Sequence, residues 1–336
     1  MSRGNPKLVD VARRAKVSTA TVSRVLSTPE LVSDDTRQRV DAAVRELRYV
    51  PHGAARALRS RRTRAIGAVV PTLSNAIFAN YTQALQKTLE TLEYRLLLAC
   101  NEYDPRSEES LVAPLIEHGI DGLVLVGRDH SARLFREIEQ HSLPYVLTWT
   151  CSDARDRPCI GFRNKEAAAR VADHLLDLQH REFAMIAGIV GGNDRARDRI
   201  EGVQSALAAR GIRLAPDRLV ERPYSLMAGR EAMRKLMQMT PRPTAVICGN
   251  DVLAIGALAQ CHAMHIEVPR QVSITGFDDM DMAAITTPPL TTVHVPAEML
   301  GRLAAEYIVR KVARYETDTP GELEVDLVLR GTTGPA

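Results

Sequence analysis

From Ala65 onward the chain repeats one pattern that leaves few folds open to it: a short, almost continuously apolar run, then an amphipathic stretch, then another run. The runs are AIGAVV (65–70), YRLLLAC (94–100), DGLVLVG (121–127), PYVLTW (144–149), FAMIAG (183–188), LVE (219–221), TAVICG (244–249) and VSITGF (272–277). A strand wetted on one face alternates apolar and polar residues, whereas a strand that is apolar throughout is covered on both faces. Strands of this kind alternating with helices predict an α/β fold of parallel sheets flanked by helices. A closed eight-unit barrel and open doubly wound sheets both fit the alternation. The chain has 336 residues, more than a single core sustains, and two doubly wound lobes account for it better than one closed sheet.

The first 64 residues are of another kind. They hold 15 Lys and Arg against 6 Asp and Glu, a net of +9, so the remainder of a chain whose total is +3 carries −6. A basic head on an acidic body points to a polyanionic partner. Within the head, Leu8, Val11, Ala12 and Ala15 recur at helical spacing, as do Val22, Val25 and Leu26, and then Val40, Ala43, Val44 and Leu47. Ser18 stands where the cap of the second helix belongs. Ser33 stands likewise before the third, whose first turn holds Asp34 and Asp35, favourable at a positive helix end. Pro51 ends the pattern, and residues 51–64, PHGAARALRSRRTR, read as a basic linker that becomes helical only against a partner. The start, MSRGNPKLVDVARRA, has no apolar core of a signal peptide, and no window approaches a membrane span, so a cytoplasmic protein is expected. Five scattered cysteines predict reduced thiols. No G-x-G-x-x-G follows the first strand and no nucleophile–base signature stands out, which argues against an enzyme, and no cofactor or metal is expected. His262 and His265, in CHAMH, lack an evident third ligand and read as surface histidines, and DDMD (278–281) reads as a loop.

Residues 7–62 closely resemble the headpiece of the LacI/GalR family of transcriptional regulators, through VDVA, VSTATVSRVL, VS-x-x-TR, LRYVP and AARALRS in that order. IGAVVPTLSN, DGLVLVG, GNDVLAIGAL and TGFDDMD extend the resemblance over nearly the whole chain. The family implies an N-terminal all-α helix-turn-helix headpiece (1–50), a hinge (51–64) and a periplasmic-binding-protein-like effector and dimerisation domain (65–336). The last is expected as lobe one, 65–162 plus 293–325, and lobe two, 163–290. By the same resemblance the second helix enters the major groove of duplex DNA. Thr19 and Ala20 then read base edges, Arg24 meets a base or a phosphate, and Ser18, Thr21 and Ser23 hold the sugar–phosphate backbone. In the hinge, Leu58 is the minor-groove wedge, flanked by Ala55 and Arg59. His52 stands where the family usually has Asn, and Lys16 where it has a small turn residue, a difference expected to cost little.

The resemblance also implies a small-molecule effector between the lobes, a sugar or sugar acid, held by Asn75, Phe78, Trp149, Arg199, Asn250 and Asp278. Tyr224 offers a further ring. Trp149 serves equally well as core. Arg163, in GFRN where relatives carry Asp, joins the set as a donor for a carboxylate; pairing with a surface acid is its other reading. PTLSNAIFA and GFRNKEAAA look more like gluconate-type repressors than lactose- or purine-type ones. A repressor acting on a pseudo-palindromic operator as a homodimer is expected, since the ending LRGTTGPA carries no heptad tail for tetramers. A periplasmic sugar receptor would suit the second part of the chain alone, but not the headpiece.

Overall fold

A computed structural model describes residues 6–49, 62–151, 157–316, 318 and 321–336. The chain divides into two compact units, Met1–Thr63 and Arg64–Ala336.

In the first unit, helices α1 (Leu8–Ala15), α2 (Thr19–Ser27) and α3 (Asp34–Leu47) enclose a small core of Val11, Ala12, Ala15, Val22, Val25, Val40, Ala43 and Tyr49. These are the positions the helical periodicity selects, with Tyr49 added from beyond α3. Leu26, Val44 and Leu47 pack at its edge. The turn between α1 and α2 is set by Lys16, which closes α1 in the left-handed region at φ 55°. For a residue with a Cβ that conformation costs roughly 1–2 kcal/mol, so the departure from a small turn residue is not cheap. Ser33 occupies the cap position of α3, but its hydroxyl donates to Thr36 Oγ1 at 3.0 Å and does not cap the backbone. The helix ends at Leu47 because Arg48 turns left-handed at φ 49°, before Pro51 is reached.

The second unit carries two open parallel sheets with the same winding, which removes the closed barrel. In lobe one the order is β2 (Arg95–Cys100), β1 (Ala65–Val70), β3 (Gly122–Val126), β4 (Tyr145–Thr148), β5 (Cys159–Ile160). In lobe two it is β7 (Leu219–Arg222), β6 (Phe183–Gly188), β8 (Ala245–Cys248), β9 (Ser273–Thr275). The central strands β1, β3, β6 and β8 are buried at every residue, as their unbroken apolar runs require. The short β5 is not evident from its sequence, CI. Helices α4 (Ala76–Thr91), α5 (Glu108–Glu117) and α6 (Ala132–Gln140) cover the first sheet; α7 (Asn164–Asp177), α8 (Asp194–Ala209), α9 (Leu226–Leu236) and α10 (Asp251–Ala263) cover the second.

After a short helix, α11 (Asp281–Ile285), the chain runs through β10 (Thr292–His294) back to lobe one, where α12 (Ala297–Val312) packs on α4, β3 and β4. It then returns: β11 (Asp326–Val328) pairs antiparallel with β10, and Thr332 O accepts from Ile274 N at 2.9 Å beside β9. The C-terminal residues therefore belong with lobe two, a third crossing that alternation alone does not reveal. Among the described residues, no helix is long and apolar enough to cross a membrane, and all five cysteines are free thiols.

Candidate functional site

In a doubly wound sheet the side chains that meet a ligand follow the C-terminal ends of the strands, where helix N-termini also point. The two sheets here bring those ends together around one narrow cavity, with about 320 Å³ of empty space when its opening to solvent is included. From lobe one it is lined by Asn75 after β1, Ile77 and Phe78 on α4, Tyr103 after β2 and Trp149 after β4; from lobe two by Asn193 after β6, Arg195 and Arg199 on α8, Tyr224 after β7, Asn250 after β8 and Asp278 after β9.

Three of these residues are helix caps. Asn75 Oδ1 accepts from Ile77 N at 3.4 Å, Asn193 Oδ1 from Ala196 N at 3.3 Å and Asn250 Oδ1 from Leu253 N at 3.0 Å. Each cap spends its carbonyl oxygen on a helix and keeps its NH2 donors for other partners; that of Asn193 reaches Tyr224 Oη at 3.4 Å. The N-termini of α4, α8 and α10 thus converge on the cavity and turn the partial positive ends of their dipoles toward it.

Arg199 is held rigidly. Its Nη1 donates to Gly249 O at 2.7 Å, its Nε to Asn164 Oδ1 at 2.9 Å, and its guanidinium carbon lies 3.6 Å from the centre of the Phe277 ring. Asp278 Oδ1 is 4.0 Å from Nη1. Both side chains are buried, so each is pushed toward its neutral form. Desolvation lowers the Arg199 pKa from its usual value, while Asp278 is raised to about 8 by burial against the pull of Arg199. Arg195 Nη1 donates to Asp194 Oδ1 at 2.8 Å. Burial also raises the Tyr103 phenol, so it stays protonated as a donor.

A row of rings forms the apolar wall. Trp149 and Phe78 centroids are 4.7 Å apart, Phe78 and Tyr103 6.5 Å, and Tyr103 meets Tyr224 of the opposite lobe at 5.3 Å. Gly188 admits Tyr224, whose hydroxyl would lie 2.1 Å from a Cβ at that position. Trp149 is 1% exposed and packs as core against Tyr81 and Phe78, so it is both core and wall. Its Nε1–H has no hydrogen-bond partner among the described residues. A buried donor left in this state costs about 1–3 kcal/mol, a cost that an acceptor on a bound molecule removes. Trp149 and Asp278 also have left-handed backbones, at φ 67° and 120°, strain of the kind that collects at ligand sites.

Seven of the eight residues expected at the effector site thus line one cavity. Arg163 does not. It caps α7 by its backbone, and its side chain turns outward: Nε donates to Glu322 Oε2 at 2.7 Å, and Nη1 lies 3.9 Å from Glu166. Two acids within reach outside the cleft draw the guanidinium away from it. Tyr103, Asn193 and Arg195, absent from the expected set, take part instead. Asp279 is held by Arg330 and His294, as a structural loop residue would be.

In the first unit, the Ser18 hydroxyl accepts from Thr21 N at 3.0 Å and caps α2. Thr19, Ala20 and Arg24 are exposed and Thr21 and Ser23 half-buried, while Val22 and Val25 face the core. The expected reading residues therefore share the solvent side of a helix whose other side is anchored. Ala55, Leu58 and Arg59, with His52, lie outside the described residues.

The family models agree with this two-part build. One described as "Bacterial regulatory proteins, lacI family" matches residues 7–52, and one for a periplasmic binding protein-like domain matches residues 172–333. The repressor CytR of Escherichia coli K12 is 31% identical over 96% of this chain and 95% of its own, and the regulator GntR of the same strain is 32% identical over 98% of each. The chain belongs to the LacI family. As a LacI-family protein it is a DNA-binding transcriptional regulator with an effector-binding domain, not an enzyme. Among solved structures, the lac repressor dimer bound to operator and an anti-inducer superposes with a TM-score of 0.86 at 25% identity, over 98% of this chain and 99% of that one. GntR and CytR match equally well, so overall identity does not single out a gluconate-type subgroup.

Proposed function

We propose that this regulator is a homodimeric repressor of a pseudo-palindromic operator, working on DNA in the cytoplasm, and that a small acceptor-rich effector held between its lobes sets its operator affinity. Thr19, Ala20 and Arg24 read base edges from α2; Ser18, Thr21 and Ser23 hold phosphates; Ala55, Leu58 and Arg59 enter the minor groove. The lac repressor was solved as an operator-bound dimer, which supports the dimeric reading.

The effector class is a polyhydroxylated carboxylate, a sugar acid, with neutral sugars as the alternative. The observation that carries it is the donor excess of the cavity. Trp149 Nε1 has no partner among the described residues, the capping asparagines present NH2 groups, and Arg195 and Arg199 add guanidinium N–H, while the carboxyl of Asp278 is itself pushed toward its protonated form by burial. A carboxylate ligand satisfies several such donors at once with charge-assisted bonds, and the row of rings covers its carbon skeleton. Arg163 takes no part; Arg195 supplies the cation it was expected to provide.

A thermal-shift screen of aldonic and uronic acids beside the matching neutral sugars tests this. A bound effector stabilises the fold by about 2.7 kcal/mol at a hundredfold excess over Kd. The reading expects the acids alone to raise Tm, with the shift lost in Arg195→Ala; a response confined to neutral sugars or to nucleobases refutes it.

A further inference from the structure

At one edge of the cleft the loop after β3 meets the first turns of α8, and the charges of the two sides interlock. Arg128 Nη2 donates to Asp198 Oδ1 at 2.6 Å, and the Arg128 backbone N–H donates to Asp194 Oδ2 at 3.1 Å. Arg197 Nη2 reaches both oxygens of Asp129 at 2.8 Å. Lobe one thus offers a cation followed by an anion, and lobe two answers each with its opposite. Gly127, at φ 86°, makes the approach possible: a Cβ there would sit 2.0 Å from Arg195 Nη1 and 2.4 Å from Asp194 Oδ1. On α8 the spacing divides the work. Asp194, Arg197 and Asp198 fall at i, i+3 and i+4 toward the loop, while Arg195 and Arg199, at i and i+4, face the cavity. Asp194 is fully buried and joins the two sets, since its Oδ1 accepts from Arg195 and its Oδ2 from Arg128.

We propose that this lattice is a charge-coded clamp that sets the closure of the two lobes, and that Asp194 is its positioning residue, aiming Arg195 into the cavity while gripping the backbone of lobe one. A ligand that draws on Arg195 then acts on Asp194, and through it on the loop of the opposite lobe. This consequence rests on the effector reading; the clamp does not, and its tests use no ligand.

Hydrogen exchange read by mass spectrometry on the full chain tests the clamp. Asp129→Arg and Arg197→Asp each set like charges face to face. Each is expected to speed exchange in the peptide over 127–131 and in the first turn of α8 by about three- to tenfold. The double exchange, Asp129→Arg with Arg197→Asp, restores complementarity and is expected to return within about twofold of the parent. Single reversals that exchange like the parent, or a double variant no slower than the singles, overturn the clamp. Where a reversal also loosens β6 and β8, the neutral cycle Asp129→Asn and Arg197→Gln takes its place, with a non-additive double variant expected and additive effects refuting. For Asp194, the readout is phenylglyoxal labelling of Arg195 in Asp194→Asn. Labelling is expected severalfold faster than in the parent with the exposed Arg213 unchanged; an unchanged rate at Arg195 shows that Asp194 does not position it.

Discussion

Replacing Arg199 by methionine would measure how much of the cavity is structure before any ligand arrives. Methionine keeps an unbranched apolar stem over Phe277 but removes both donors and the charge. Gly249 O and Asn164 Oδ1 then lose the N–H groups now at 2.7 and 2.9 Å, and Asp278 loses the cation at 4.0 Å. Orphaning a buried acceptor costs about 1–3 kcal/mol, and breaking a buried ion pair about 3–5 kcal/mol. The terms overlap, because Asp278 is already raised to about 8 by burial and escapes by taking a proton. The expected loss is therefore about 3–5 kcal/mol at pH 8.5 and smaller at pH 6, where Asp278 is neutral before the substitution. Urea unfolding of parent and variant at one fixed protein concentration, followed by circular dichroism with m held common, reads it directly. A loss below about 1 kcal/mol at both pH values would refute the claim that Arg199 ties α8 to the neighbouring strand ends.

Three further outcomes are expected. Lys16→Gly relieves the left-handed turn between α1 and α2 and should stabilise the headpiece by roughly 1 kcal/mol, read in its thermal melt; a destabilised variant would contradict the strain at φ 55°. Arg24→Ala should weaken operator binding by about 1–3 kcal/mol and relax preference at one base pair of each half-site, whereas a uniform loss across sequences would mark Arg24 as a phosphate contact. Asp278, raised by burial to about 8 from an ordinary value of 3.8, binds its proton more tightly when folded. Its contribution to stability is complete below pH 4 and is lost as pH rises toward 8, at up to about 1.4 kcal/mol per pH unit. The stability difference between parent and Asp278→Asn should slope downward across that window; a flat difference would place Asp278 in a polar, hydrated setting.

The fold was legible because its cues are local. Unbroken apolar runs mark β1, β3, β6 and β8, and helical stripes mark the headpiece. What escaped is non-local: β5 has two residues, and the return of the C-terminal tail to lobe two depends on Thr332 reaching Ile274. The cavity was legible where residues follow strand ends within family motifs. Asn193 and Arg195 do carry a local signal, since one caps the helix of Arg199 and the other lies one turn before it on the same face. Tyr103, three residues beyond β2, obeys the strand-end rule without a motif. The outward turn of Arg163 is not legible, because a sequence position near the cleft does not say which way a long side chain turns, and Glu322 lies 159 residues away in the chain.

The most direct test of the whole account is operator binding in the presence of effector. Fluorescence anisotropy of the full-length protein on DNA from upstream of its own gene, with and without a saturating aldonic acid that raises its Tm, reads the coupling between cavity and headpiece. The acid is predicted to change the operator Kd at least about fivefold in the parent and to leave Arg195→Ala unmoved. An operator affinity indifferent to every acid that binds, or an equal response in Arg195→Ala, would contradict that coupling.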